Sequence, residues 1–279
     1  MYRILSRQDL APNIHRFEIE APATARKAKA GQFVIVMVDE KGERIPLTIA
    51  DWDTERGSVS IVFNEVGRTT RKLAQLQAGD TILSFSGPLG LPAEIDKFGR
   101  VVTVTAGYSV VTIVPVVRAL KAAGNTVTSI MRAPSADSIF GQKELGAVAD
   151  ELIVVTGDGS YGEAGFIIEP LQEILAAGRV DRVITVGPVC VMKLVASATR
   201  PYNVKTIASL NPIMVDGTGM CGCCRVSIGG ETKFACVDGP EFDAHLVDWN
   251  SLMARRCTYA STDSEHLWAR YRCLDCAQW

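Results

Sequence analysis

At 279 residues, 47% hydrophobic and 22% charged, the chain carries the apolar material of about two domains of roughly 150 residues each, which excludes an intrinsically disordered protein. A net charge of −2 excludes a general nucleic-acid binder, which needs clustered Lys and Arg, and a polybasic membrane anchor. The longest apolar runs are broken, as by Pro188 and Lys193 within 183–196, and fall short of the ~20 residues that span a bilayer. Residues 1–7 hold no apolar signal core, so a soluble chain without membrane contact is the expectation.

Residues 1–96 read as β-rich. The runs 33–38 and 58–63 are apolar and rich in β-branched residues. Turn signals separate them at Gly31, 39–42, Gly57, Gly79-Asp80 and Gly87-Pro88. One helix is expected over 69–76. Many short strands with little helix predict a small β-barrel. Residues 97–210 change character. Strands over 101–105, 126–131, 152–156 and 183–186 alternate with helices over 114–123, 170–177 and 188–199. Gly124 and Gly178 stand just past two of the helix ends. That alternation predicts a parallel, doubly wound α/β sheet. Residues 211–253 form a Gly-rich, Cys-containing lobe, and residues 254–279 a tail too short for its own core.

The eight cysteines avoid the first 189 residues; Cys190 stands alone and the rest cluster. A disulfide scaffold spreads its cysteines through a small secreted domain. Short spacings in a signal-free chain point to metal and to a reducing cytoplasm. Plant-type [2Fe–2S] sites use C-x4-C-x2-C and a distant fourth Cys. Here Cys221 and Cys224 supply the C-x2-C pair, Cys236 follows, and Asp216 stands where the first Cys would be. Gly217, Gly219 and Gly222 permit a loop to wrap a compact cluster. The expectation is a [2Fe–2S] cluster held by Asp216, Cys221, Cys224 and Cys236. A zinc knuckle would favour two C-x2-C hooks. Cys223 is the alternative to Cys224, which the spacing favours. In the tail, Cys257, Cys273 and Cys276, with His266, are either a further metal site or unpaired thiols on a docking segment. His15 is expected at the surface, and His245 shows no catalytic geometry. No G-x-S-x-G or H-E-x-x-H motif is present.

In the first domain, Arg44-Ile45-Pro46-Leu47-Thr48-Ile49 follows a strand and a Gly turn. Arg44 offers a forked contact to phosphate, and Thr48 a hydrogen bond to a flavin ring edge. Residues 64–70, Asn-Glu-Val-Gly-Arg-Thr-Thr, precede a helix whose start could receive a pyrophosphate. With these motifs in this order, the chain resembles the ferredoxin–NADP reductase superfamily. More narrowly it resembles the small-subunit family of the NADH-dependent reduced ferredoxin:NADP oxidoreductases, which is sulfide dehydrogenase beta-subunit-like. The dihydroorotate dehydrogenase electron-transfer subunit is a more distant relative, with Cys in place of Asp216. The match runs over about 1–253 and is most specific over 209–221 and 234–245. The resemblance implies FAD on Arg44, Pro46, Leu47 and Thr48, beside Val62, Glu65 and Val66, with Gly67, Thr69 and Thr70 near its phosphates. It implies an Asp cluster ligand and a large partner subunit, glutamate synthase small-subunit-like, with its own FAD and iron–sulfur clusters. It further implies electron relay between that partner and NAD(H).

The second domain departs from the family. Where the pattern is close to G-G-G-x-G-x-A, residues 106–113 read Ala-Gly-Tyr-Ser-Val-Val-Thr-Ile, keeping only Gly107. Such glycines let backbone approach a pyrophosphate. Other nicotinamide-site positions persist: Asp158, Gly159, Gly187 and Pro188. The site either binds NAD(H) weakly or by another loop geometry, or is vestigial; the lost glycines favour impaired binding. The reading is an electron-transfer subunit carrying FAD and the cluster. A dihydroorotate dehydrogenase-type subunit, a non-redox scaffold and a zinc-binding module are the alternatives.

Overall fold

The computed structural model describes residues 1–256; Cys257, His266, Cys273 and Cys276 lie outside the described residues. The first sheet holds β1 (Tyr2–Ala11), β2 (Ile14–Glu20), β3 (Phe33–Met37), β4 (Ile45–Asp53), β5 (Ser58–Asn64), β6 (Thr81–Ile82) and β7 (Ser84–Leu89). The short helices α1 (Pro22–Ala25) and α2 (Arg68–Leu73) lie between them. The order is β6-β1-β2-β5-β4-β3-β7, and every pairing is antiparallel. The edge strands β6 and β7 are joined by Leu83 alone, so the sheet curls into a nearly closed barrel and shields its edges. Ile4, Phe17, Ile19, Val34, Val36, Ile61, Phe63 and Phe85 fill the interior.

Side chains alternate between faces along β2, and His15 shares the parity of the buried Phe17 and Ile19. It is therefore inside, 5% exposed, which corrects the expectation of a surface histidine. Its Nδ1 meets Asp9 Oδ1 at 2.6 Å and its Nε2 meets Glu65 Oε1 at 2.7 Å. The ring packs against Phe63, centroids 5.5 Å apart. His15→Ala leaves the carboxylates of Asp9 and Glu65 without their shared inner partner. It is expected to cost about 1.5–3 kcal/mol, the range for hydrogen bonds to charged groups. Urea unfolding midpoints measure this, and an unchanged midpoint refutes it.

The second sheet contains β8 (Arg100–Ala106), β9 (Thr126–Ala133), β10 (Glu151–Thr156), β11 (Glu163–Ala164), β12 (Arg182–Val186) and β13 (Lys205–Ser209). Its helices are α3 (Ser109–Thr112), α4 (Val114–Ala122), α5 (Gln142–Gly146), α6 (Ile168–Ala177) and α7 (Val189–Thr199). These strands run β11-β10-β9-β8-β12-β13, all parallel. On one face Val101 and Val127 meet Val117 and Leu120 of α4 and Leu145 of α5. On the other, Val102 and Val104 meet Leu171 and Leu175 of α6 and Val191 and Val195 of α7. Both faces are covered, so the strands are near-continuously apolar. Strand order reverses between β8 and β12, and a crevice opens beyond their carboxyl ends. α3 was not expected; it forms where Val110, Val111 and Ile113 all find burial.

The remaining segment is not a free-standing unit. β14 (Arg225–Ile228) and β15 (Glu231–Phe234) form a hairpin. Gly229 and Gly230, at φ 59° and 87°, turn it as two-residue hairpin loops require. β16 (Glu241–Asp243) adds antiparallel to β13. α8 (Trp249–Arg256) packs Trp249 and Leu252 against Val189, Met192 and Ala196 of α7. Toward the barrel, Met214, Cys224 and Cys236 pack on Phe33 and Ile35 of β3. Among the described residues no helix is long and apolar enough to cross a membrane.

Candidate functional site

Two features meet where barrel, doubly wound sheet and Cys lobe adjoin: a cleft and a cysteine loop. The cleft lies at the strand-order reversal. The barrel contributes Pro46, Leu47 and Thr48 from β4, Val62 from β5, and Val66 and Thr70 from the turn into α2. The sheet contributes Tyr108, Ser109 and Thr112 from α3 and its approach, and Val186 and Gly187 from the end of β12. The lobe adds Asn211, Met214, Pro240 and Arg256.

Six of the ten residues expected around FAD thus share one cavity. The other four are engaged beside it. Arg44 Nε donates to the Val215 carbonyl at 3.2 Å, on the cysteine loop. The Glu65 carboxylate is tied to His15. The Thr69 hydroxyl donates to Glu43 at 2.7 Å. Gly67 sits at the N-cap of α2, its N–H donating to the Thr70 hydroxyl at 3.0 Å. On the nicotinamide side Gly187 lines the cleft, its carbonyl accepting from Asn211 Nδ2 at 3.3 Å. Gly107 lies at the end of β8 with φ 63°, and Pro188 precedes α7. Asp158 and Gly159 follow β10, outside the cleft lining. The Ser160 hydroxyl and N–H donate to Asp158 and hold its carboxyl below the usual range.

The cysteine loop wraps with Gly217, Gly219 and Gly222 at φ 76°, 83° and 67°. A side chain at Gly217 would strike Leu89 and Ile35 of the barrel. Cys224 and Cys236 are buried, 2% exposed each, with sulfurs 3.2 Å apart. Burial and the facing thiol push the Cys236 pKa up to about 12. Asp216 accepts the N–H groups of Thr218 and Cys221, each at 2.9 Å. The Thr218 bond leads in holding its carboxyl below the usual range. Cys223 lies beside Cys221, whose thiol raises its pKa, and is half-buried.

Among the described residues no three or more His, Cys, Asp or Glu side chains converge on a point for one ion. The four expected ligands instead fall two and two: Cys224 with Cys236 inside, Asp216 with Cys221 outside. Three soft thiols and one hard carboxylate are a donor set for an iron–sulfur group. Two facing buried thiols ionise only if a cation offsets their repulsion. The residues present fit such a group. Arg44 on Val215 and Arg255 Nη2 on the Cys223 carbonyl at 3.1 Å place a cation at each end of the loop.

Local sequence did not place Tyr108, Asn211 or Arg256 in the cleft wall. These last two lie 45 positions apart, bonded Nη1 to Oδ1 at 3.2 Å. No local pattern announces such a pair.

Barrel, doubly wound sheet and cysteine loop together define a ferredoxin–NADP reductase-like architecture carrying an iron–sulfur-type lobe. Residues 211–248 match the model of the iron–sulfur cluster binding domain of dihydroorotate dehydrogenase B. A Thermotoga maritima protein named as a dihydroorotate dehydrogenase B (NAD(+)) electron transfer subunit homolog is 42% identical over 256 residues, 92% of this chain and 90% of its own. An uncharacterized Clostridium beijerinckii protein from the adh 3′ region is 43% identical over 274 residues, 95% and 93% of the two chains. Among solved structures, a chain of the NADH-dependent reduced ferredoxin-NADP oxidoreductase matches with TM-score 0.89 and 38% identity over 98% of each chain. Phthalate dioxygenase reductase, at 15% identity and TM-score 0.56 over 81% of this chain and 85% of its own, shares the fold alone. The chain belongs to the family of dihydroorotate dehydrogenase B electron-transfer subunits and their homologues. The resemblance read from 209–221 and 234–245 is borne out.

Proposed function

We propose that the chain is an electron-transfer subunit that holds FAD in the cleft and a [2Fe–2S] cluster on the cysteine loop. It relays electrons between them and a large flavoprotein partner carrying iron–sulfur clusters. On this reading 1–96 is the FAD domain, 97–210 the nucleotide-type domain, 211–253 the cluster lobe and 254–279 a tail, all in the cytoplasm. FAD, when bound, supplies the conversion between two-electron and one-electron chemistry. The protein's own part is positional. Pro46, Leu47 and Val62 give the ring an apolar wall, and Thr48 a polar edge. Asp216, Cys221, Cys224 and Cys236 hold the cluster in two pairs, which suits two metal centres rather than one.

The observation that carries the rest of the reading is α3. It fills the place at the switch point where a Gly-rich loop would meet a pyrophosphate. Val110 and Val111 are 1% exposed, and Val111 packs across onto Ala50 and Val62 of the barrel. Opening that loop for a dinucleotide means breaking a core contact between the two domains. NAD(H) reactivity is therefore impaired. The test is an anaerobic titration of the purified chain, followed by flavin absorbance. NADH is expected to leave the flavin oxidised while dithionite bleaches it fully; rapid stoichiometric bleaching by NADH refutes the impairment. The names of the relatives favour a second reading, a dihydroorotate dehydrogenase-type subunit. Co-purification with a dihydroorotate-binding partner would support it.

A further inference from the structure

The described lining of the cleft is neutral and mostly apolar except for one residue, Arg256. It comes from the far end of α8, just past the 211–253 lobe, and reaches the cleft beside Asn211 and Gly187. Its recorded partner is the neutral Asn211 amide, which Gly187 holds in turn. Among the described residues, no ion pair with a carboxylate involves it. Its neighbour Arg255 turns the other way, to the Cys223 carbonyl. One helix end thus sends one guanidinium to each of the two sites.

A guanidinium is always charged. Half-buried against an apolar wall, with no carboxylate partner among the described residues, it is stabilised by a ligand that brings the negative charge. A neutral flavin ring acquires that charge on reduction: two electrons from the donor and one proton from solvent leave it a monoanion. We propose that Arg256 is the cofactor-binding cation that takes the negative charge of the reduced flavin ring, so that this cleft holds reduced FAD more tightly than oxidised FAD. The proposal rests on FAD being the occupant. Charge beside the ring is one of the levers by which a protein sets a flavin's potential. Fixed in advance by Asn211, the guanidinium needs little reorganisation when the charge appears.

The experiment is spectroelectrochemical titration of the purified full chain, with FAD content measured first. R256Q is expected to keep its oxidised FAD but to lose about tenfold in preference for the reduced form. That is a fall of about 30 mV for a two-electron couple, with the cluster signal unmoved. R256K, which keeps the charge, restores most of the loss. N211A, which frees the guanidinium without removing it, gives a smaller fall of the same sign and is the variant read if R256Q misfolds. An unchanged flavin potential overturns the assignment. So does equal weakening of both FAD forms, or a change confined to NADH or NADPH affinity, which would make Arg256 a dinucleotide contact. A wild-type chain that takes up no FAD refutes the underlying reading, and does so before any substitution is made.

Discussion

Replacing Cys236 by serine is expected to strip the chain of its iron, and replacing Asp216 by alanine to leave only a labile remnant. Cys224 and Cys236 face each other at 3.2 Å inside the lobe, packed on Phe33 and Ile35 of the barrel. Metal binding at such a pair is also folding free energy, because the unfolded chain holds no preformed site. Loss of an outer-shell partner alone typically costs 10–100-fold in metal affinity, so loss of a ligand should cost at least that. Asp216 differs in two respects. As a proposed ligand it is hard and on the exposed side, and its carboxylate organises the loop by accepting from Thr218 and Cys221. Asp216→Ala removes both contributions, whereas Asp216→Cys restores a thiolate. The measurement is iron and acid-labile sulfide per chain after anaerobic purification. Two irons and two sulfides are expected in the wild type and in Asp216→Cys, and about a tenth or less in Cys236→Ser. A full, stable cluster in Asp216→Ala removes Asp216 from the ligand set, and zinc without sulfide removes the cluster.

The second large effect is on stability, at Glu241. This residue sits where β16 joins the α/β sheet, its Oε1 3.2 Å from where a side chain on Gly31 of the barrel would begin. Burial pushes its pKa up to about 7; Arg182 opposes the shift and Glu94 adds to it. Arg182, 5% exposed, is engaged with Glu94 at 2.8 Å and lies over the Phe98 ring at 3.5 Å. An acid with a raised folded pKa binds its proton more tightly folded than unfolded. Its contribution is most favourable below the unfolded value near 4.5 and is lost as pH rises through about 7. At 1.36 kcal/mol per pKa unit, the loss amounts to about 3 kcal/mol. His245 acts in the opposite sense, since burial lowers its pKa, so the informative quantity is a difference between two proteins. Glu241→Gln is expected to gain on the wild type by up to about 3 kcal/mol between pH 5 and pH 8. Urea unfolding at the two pH values reads this directly, and parallel pH profiles for the two proteins would refute it.

Much of this site was legible because its determinants are local. The C-x2-C pair, Asp216 five positions before it and the intervening glycines lie on one loop, and spacing along a loop is spacing in space. The barrel and the doubly wound sheet were legible for a related reason. A two-residue period and an alternation of strands with helices report burial on one face or on two, whatever the partner surface is. Where one residue's fate depended on a distant segment, the reading failed or stopped. His15 was misplaced, although its parity with Phe17 and Ile19 was available, because polarity outweighed period. The motif around Arg44 suggests a phosphate contact, but nothing local announces its hydrogen bond across 171 positions to Val215. The loss of the Gly-rich turn was legible, but the packing of α3 there was not, because its partners Ala50 and Val62 come from the barrel.

The amino-acid order by itself determined the two fold types, the cysteine spacing of the loop and the loss of the Gly-rich turn, since each follows from chemistry within a few residues of chain. Only the tertiary structure decided that Cys224 and Cys236 face each other against the barrel and that Glu241 is half-buried between β16 and Gly31 of the barrel. It alone decided that, among the described residues, the one charged side chain lining the cleft is Arg256, from the last turn of α8. Burial and electrostatic environment are set by which surfaces meet, and those surfaces come from strands and helices tens to hundreds of positions apart.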